Sequence, residues 1–114
     1  MADNVVYIDF NEGVKRVMNN AKLYTKLLTK FKTDTNINDL SSSLAAGDLE
    51  KAQVQAHTIK GVSANLSLTE LFKQVLELET QIKAKSVNPN QMEVVKTVFA
   101  ATIQEVERVI AQNG

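Results

Sequence analysis

Apolar residues recur at three- and four-residue spacing along nearly the whole chain, with no strand-like alternation, which confines the sequence to an all-α fold. The single proline, Pro89, follows Asn88 and marks a helix start, because its missing N–H costs nothing at the first helical position. Phe10, Val14, Val17 and Met18 make a short first amphipathic piece ending near Asn19 and Asn20. Asn20 is placed to cap a second helix, on which Tyr24, Leu27, Leu28 and Phe31 share a face. Asn36 or Asn38 caps a third, with Ile37, Leu40 and Leu44 inward. Gly47 reads as its left-handed C-cap, and Asp48 as the N-cap of a fourth helix running to about Leu66. Ser67-Leu-Thr-Glu70 fits the capping-box pattern and opens a fifth helix with Leu68, Leu71, Val75, Leu78 and Ile82 along its seam. The last helix turns Met92, Val95, Phe99, Ile103, Val106 and Ile110 inward. The 114 residues form one domain spanning 1–114. Four long helices joined by short turns predict an antiparallel up-down-up-down four-helix bundle with a short additional N-terminal helix or helices.

Thirteen basic and thirteen acidic residues, interspersed, leave no net charge, so the basic footprint of nucleic-acid binding is missing. The absence of cysteine removes disulfides, thiol catalysis and thiolate metal sites together. One histidine and no acidic loop of EF-hand spacing leave no metal site, and no Walker loop or Gly-rich nucleotide motif supports an ATP-using kinase. No run approaches the eighteen or so apolar residues of a membrane span, and the first residues lack the pattern of a signal peptide. The lack of cysteine fits a reducing cytoplasm, and a monomer is expected, since the helix seams can close on one another.

Helical phasing singles out His57. With residues spaced at roughly 100° each, Leu49, Ala52, Ala56, Ile59, Ser63 and Leu66 fall in one inward sector of the fourth helix. His57 lies roughly 150° from the middle of that sector and should face water. Lys60 and Gly61 sit one turn away on the same surface. Glycine in a helix interior costs about 1 kcal/mol against alanine, so Gly61 points to a close approach of something to the backbone. Val54 and Ala64, with Gln53 on the flank, extend a small patch around the imidazole that reads as a docking surface.

Ala56-His57-Thr58-Ile59-Lys60-Gly61-Val62-Ser63-Ala64-Asn65-Leu66 closely resembles the signature of histidine-phosphotransfer (HPt) domains, a His-x-hydrophobic-Lys-Gly pattern followed by small residues. Ile8-Asp9 through Gly13, Leu27-Leu28 with Phe31, Leu44 through Asp48, and Leu78-Glu79 are similar to that family as well. The resemblance spans about residues 8–85, with the final helix alike only in kind. It implies a phosphorelay intermediate of two-component signalling. His57 would be the phosphoacceptor, Lys60 would stabilise phosphoryl charge and Gly61 would admit the partner. That partner would be a response-regulator receiver domain or a hybrid histidine kinase, with Mg²⁺ on the receiver and no cofactor on this chain. Glu79 stands where some members place a polar residue against the imidazole; it either orients a ring nitrogen or is a solvated helix acid. Ser67 replaces the usual glycine; its hydroxyl either caps the next helix or reaches the phosphoryl group.

The physical chemistry agrees with such a role. Imidazole is largely neutral and nucleophilic near neutral pH, and a nearby ammonium attracts a phosphoryl group of roughly −2 charge. Three other readings are a catalytically silent adaptor using the same face, a hydrolase or transferase with His57 as general base, and the HPt domain of a hybrid or chemotaxis-type kinase. The first needs neither His57 nor Lys60, and the second lacks a nucleophile and needs a pocket of several hundred cubic ångströms beside His57.

Overall fold

The computed structural model describes residues 5–113, which form six α-helices and, among the described residues, no strand. They are α1 (Phe10–Arg16), α2 (Ala21–Phe31), α3 (Asn36–Ala45), α4 (Leu49–Asn65), α5 (Thr69–Lys83) and α6 (Pro89–Asn113). The boundaries follow local chemistry. Asp9, Asn20 and Asp48 each accept the backbone N–H three residues on, at 3.2, 3.0 and 3.1 Å, and so satisfy donors that the first turn leaves open. Gly47 takes φ +76° between α3 and α4, and Pro89 is the first residue of α6.

Three capping expectations change. Thr35, not Asn36 or Asn38, precedes α3, and the Asp34 carboxylate accepts the Asn36 N–H at 2.7 Å instead. The first helix ends at Arg16, and Met18 enters the left-handed region at φ +59°, which carries its side chain out to 90% exposure rather than inward. Ser67 caps nothing. It is the left-handed residue (φ +56°) that closes α4, while the Leu68 N–H returns to the Ser63 carbonyl at 2.8 Å. The position needs the backbone geometry for which glycine is usual, and serine adopts it here with its hydroxyl donating to Glu12 Oε1 at 2.8 Å.

The helices close as a bundle around one core. α4 packs along α3 and α5, α5 along α6, and α6 along α2. The turns joining α3 to α4, α4 to α5 and α5 to α6 are short, so these neighbours run antiparallel. The fourth wall is shared by the two short helices α2 and α3, of 11 and 10 residues. Phe31 of α2 stacks edge-on against Phe99 at 5.5 Å, midway along α6, whereas α3 faces Val87, Pro89 and Met92 at its start. Leu28, Leu40, Leu71, Val75, Leu78, Val95 and Val106 are sealed inside. Burying a side chain of this size stabilises by about 1.5–3 kcal/mol, which is what holds the helix faces in register.

α1 closes one end of the bundle over Tyr24. The Tyr24 hydroxyl donates to the Leu66 carbonyl at the end of α4. Burial, and then the charges of Asp9 and Glu12, push this phenol up to about 12, so it remains a donor at any physiological pH. The ring passes so close to α1 that a Cβ on Gly13 would stand 2.2 Å from it. Gly13→Ala is therefore expected to lower stability by about 1–3 kcal/mol through overpacking. Urea unfolding would register this as a lower midpoint; an unchanged midpoint would contradict the packing described.

Candidate functional site

α4 buries Ala52, Ala56, Ile59 and Ser63, which leaves the opposite side of the helix to solvent. His57 projects from that side with 71% of its side chain exposed. Its ring is nonetheless held. Nδ1 lies 3.1 Å from Oε2 of Glu79, a residue of α5 whose side chain is only 2% exposed. A carboxylate is the last group expected in a bundle seam, and the seam spacing of Leu71, Val75, Leu78 and Ile82 explains why Glu79 is there: it sits beside Leu78 where α5 is pressed against α4.

The buried charge is compensated from two sides. Lys60 Nζ stands 2.6 Å from Oε1 as its ion-pair partner, and among the described residues Oε1 has no other. Lys83 Nζ stands 3.7 Å from Oε2, the oxygen already engaged by His57. Burial disfavours the charged form, but the close contacts of Lys60 and His57, and then the charges of Lys60 and Lys83, outweigh it and hold the carboxyl below its ordinary value of 4.5. Glu79 is thus ionised at neutral pH and can only accept. The proton of a neutral His57 ring belongs on Nδ1, and the Nε2 lone pair is left outward.

Beside the ring runs an open groove of about 490 Å³ lined by Glu50, Gln53, Val54, Thr58 and Lys83, with Glu79 below. Its volume reaches the size that an enzyme pocket would need, but it offers no second nucleophile: the Thr58 hydroxyl is turned back to the Val54 carbonyl at 3.0 Å. Val54 is 66% exposed on its rim. One turn beyond His57, Gly61 is exposed, and a Cβ there would meet nothing within 4 Å. No packing among the described residues requires that glycine.

Of the residues expected at the site, His57, Lys60, Glu79, Gln53 and Val54 come together, with Gly61 adjoining. Ala64 and Ser67 do not: both line a smaller depression with Glu12, Arg16 and Phe72, where α1 meets the end of α4. The Ser67 hydroxyl, committed to Glu12, is not available to a group on His57. Glu79 is no solvated acid but the floor of the site. Lys83 was not among the expected residues, although its spacing of four from Glu79 on one helix was the signal for it.

The family model described as the Hpt domain matches residues 27–112. The chain belongs to the Hpt domain family. The match begins within α2 and runs through α6, so the final helix, alike only in kind by eye, is part of the family pattern, and α1 lies outside it. No curated protein and no solved structure matches the chain significantly. As an Hpt domain it is a helical-bundle module of the histidine-containing phosphorelays of two-component signalling, systems in which such domains work with receiver domains and kinases. Among the described residues no helix is long and apolar enough to cross a membrane.

The Glu79 cluster makes stability depend on pH in one direction. Because the folded-state value lies below the unfolded one, Glu79 contributes stability above its ordinary value of 4.5 that is lost as pH falls through the folded value. Glu79→Gln is expected to be roughly 1–3 kcal/mol less stable than the natural protein near neutral pH. The difference should narrow as pH falls below the ordinary value of 4.5 and the folded-state carboxylate takes up its proton. Urea midpoints of both proteins across this range test it; a difference independent of pH would contradict an ionised Glu79.

Proposed function

We propose that His57 is the phosphoacceptor of a phosphorelay, taking a phosphoryl group on Nε2 from a receiver-domain aspartate and returning it to another. The observation that supports this most is an exposed ring held at Nδ1 by the buried Glu79 carboxylate, an arrangement that leaves Nε2 as the nitrogen free to react. In the forward step the Nε2 lone pair attacks phosphorus, the Nε2–P bond forms and the P–O bond of the acyl phosphate breaks. The aspartate leaves as a carboxylate. The ring, still carrying its Nδ1 proton, becomes cationic, and Glu79 faces that new charge at 3.1 Å. Its stabilisation therefore grows along the reaction instead of being present equally at the start.

Lys60 keeps Glu79 charged and fixed, and through it the ring. The bare backbone at Gly61 gives a receiver room to come in line with Nε2, and the rim at Gln53 and Val54 offers it a partly apolar seat. The metal of the reaction, Mg²⁺, belongs to the receiver in this reading. Among the described residues no cluster of three or more His, Cys, Asp or Glu side chains could hold one. A hydrolase would need a nucleophile or an activated water held in the groove, and Thr58, bonded to its own helix, supplies neither.

Two substitutions test the assignment. His57→Gln should abolish acceptance of labelled phosphate from a receiver charged with acetyl phosphate, with the helical circular dichroism unchanged. Label retained by that variant would refute the role of His57. Gly61→Ala should stabilise the free protein by about 1 kcal/mol, because alanine is the better helix former and its Cβ meets nothing. The same variant should transfer phosphate more slowly, by a higher KM for the receiver. A gain in stability with an unchanged KM would show that no partner approaches the backbone there.

A further inference from the structure

The two lysines that share Glu79 are not equivalent. Lys60 has 22% of its side chain exposed and stands 2.6 Å from the carboxylate oxygen that has no other partner among the described residues. Withdrawing it would leave a buried charge half uncompensated, which is strongly unfavourable. Lys83 is 56% exposed and 3.7 Å from the oxygen already bonded to His57. It gives up little by leaving, and it lines the same groove as the imidazole. Both His57 Nδ1 and Lys83 Nζ contact Glu79 Oε2, so the ammonium lies within about 7 Å of the ring nitrogen, on a flexible stem that can swing toward the groove they share.

We propose that Lys83 is the mobile cation of the site, turning from Glu79 to the phosphoryl oxygens once His57 is modified, while Lys60 stays as the anchor of Glu79. This rests on the phosphoacceptor reading above and changes the division of labour that the His-x-x-Lys-Gly pattern implies, since the cation free to meet the phosphoryl group comes from α5 and not from α4. A phosphoryl group at pH 7 carries close to two negative charges with three acceptor oxygens, and its ammonium partner forms charge-assisted hydrogen bonds to them. The charged groups facing it are Lys83 and Glu79 from α5, and Lys60 and Glu50 from α4. Glu50, on the groove wall, repels the phosphoryl group, which adds to the need for a cation opposite.

The test loads the intact protein chemically and reads the phosphoryl group itself. Potassium phosphoramidate donates its phosphoryl group to an imidazole: the Nε2–P bond forms, the P–N bond of the reagent breaks and ammonia leaves. The chain has one histidine, so the ³¹P resonance of the phosphohistidine reports one site. The second ionisation of a phosphoryl group lies near 6, and a cation in contact lowers it. Lys83→Gln should raise the midpoint of the ³¹P titration by about half a pH unit in low salt, a modest shift because the lysine is partly solvated. Lys83→Arg should restore the natural midpoint. Superimposable titrations of the natural protein and Lys83→Gln would overturn the role of Lys83 and leave His57 as phosphoacceptor untouched. No phosphohistidine signal from the folded protein, with a normal signal from the urea-unfolded chain, would overturn both, since Nε2 would then be unreachable.

Discussion

A carboxylate sealed between two helices organises this molecule's surface. Glu79 alone would be a liability in the α4–α5 seam, since an unpaired buried charge costs several kcal/mol. It is tolerated because Lys60 and His57 reach it from α4 and Lys83 from its own helix. The same contacts that make the burial tolerable fix the imidazole. A ring on an exposed helix face would otherwise turn freely and present either nitrogen to solvent. Here packing and ring orientation share one interaction: the charge that α4 must neutralise to pack on α5 decides which nitrogen of His57 carries the proton and which keeps its lone pair.

The rest of the fold serves to bring α4 and α5 together in that register. Ala52 and Ala56 are small enough to let α4 lie close to its neighbours, and Leu71, Val75, Leu78 and Ile82 form a continuous apolar edge on α5. The junction between the two helices is tied down separately. Tyr24 holds the Leu66 carbonyl, Glu12 holds the Ser67 hydroxyl, and the Asp9 N–H reaches the Ser67 carbonyl at 3.0 Å. The N-terminal segment thus braces the end of α4 from outside the region that the family pattern covers. Serine in the left-handed position there carries a strain of order 1 kcal/mol, against which the bond to Glu12 acts.

Much of this was legible from the sequence, for reasons that can be located. Three-four spacing fixed the inward faces of α4 and α5, and simple angular phasing put His57 outside, where it is found; on α6 Met92, Val95 and Val106 are buried as expected, but Val98, Thr102 and Val109 complete the buried face, with Phe99, Ile103 and Ile110 only half-buried beside it. The caps at Asn20, Gly47, Asp48 and Pro89 were readable because each is a local effect of one residue on its own turn. Ser67 was misread because a capping box and a left-handed helix end share the same residues, and only the tertiary bond to Glu12 separates them. Glu79 was undecided because helix phasing places a residue on a boundary without saying whether a cation will cover it. Lys60 and Lys83 do cover it, one of them from a residue 19 positions earlier in the chain. The separation of α2 from α3 was legible, but which part of α6 each of them meets is not encoded by periodicity.

Nitrogen-15 chemical shifts of the His57 ring, measured in the folded protein at a pH where the imidazole is neutral, test the central claim most directly, because a single histidine makes the two ring signals unambiguous. The Glu79 contact requires the proton on Nδ1, with Nε2 showing the shift of an unprotonated nitrogen. A ring found with its proton on Nε2, or averaging between both forms as a free imidazole does, would contradict the account.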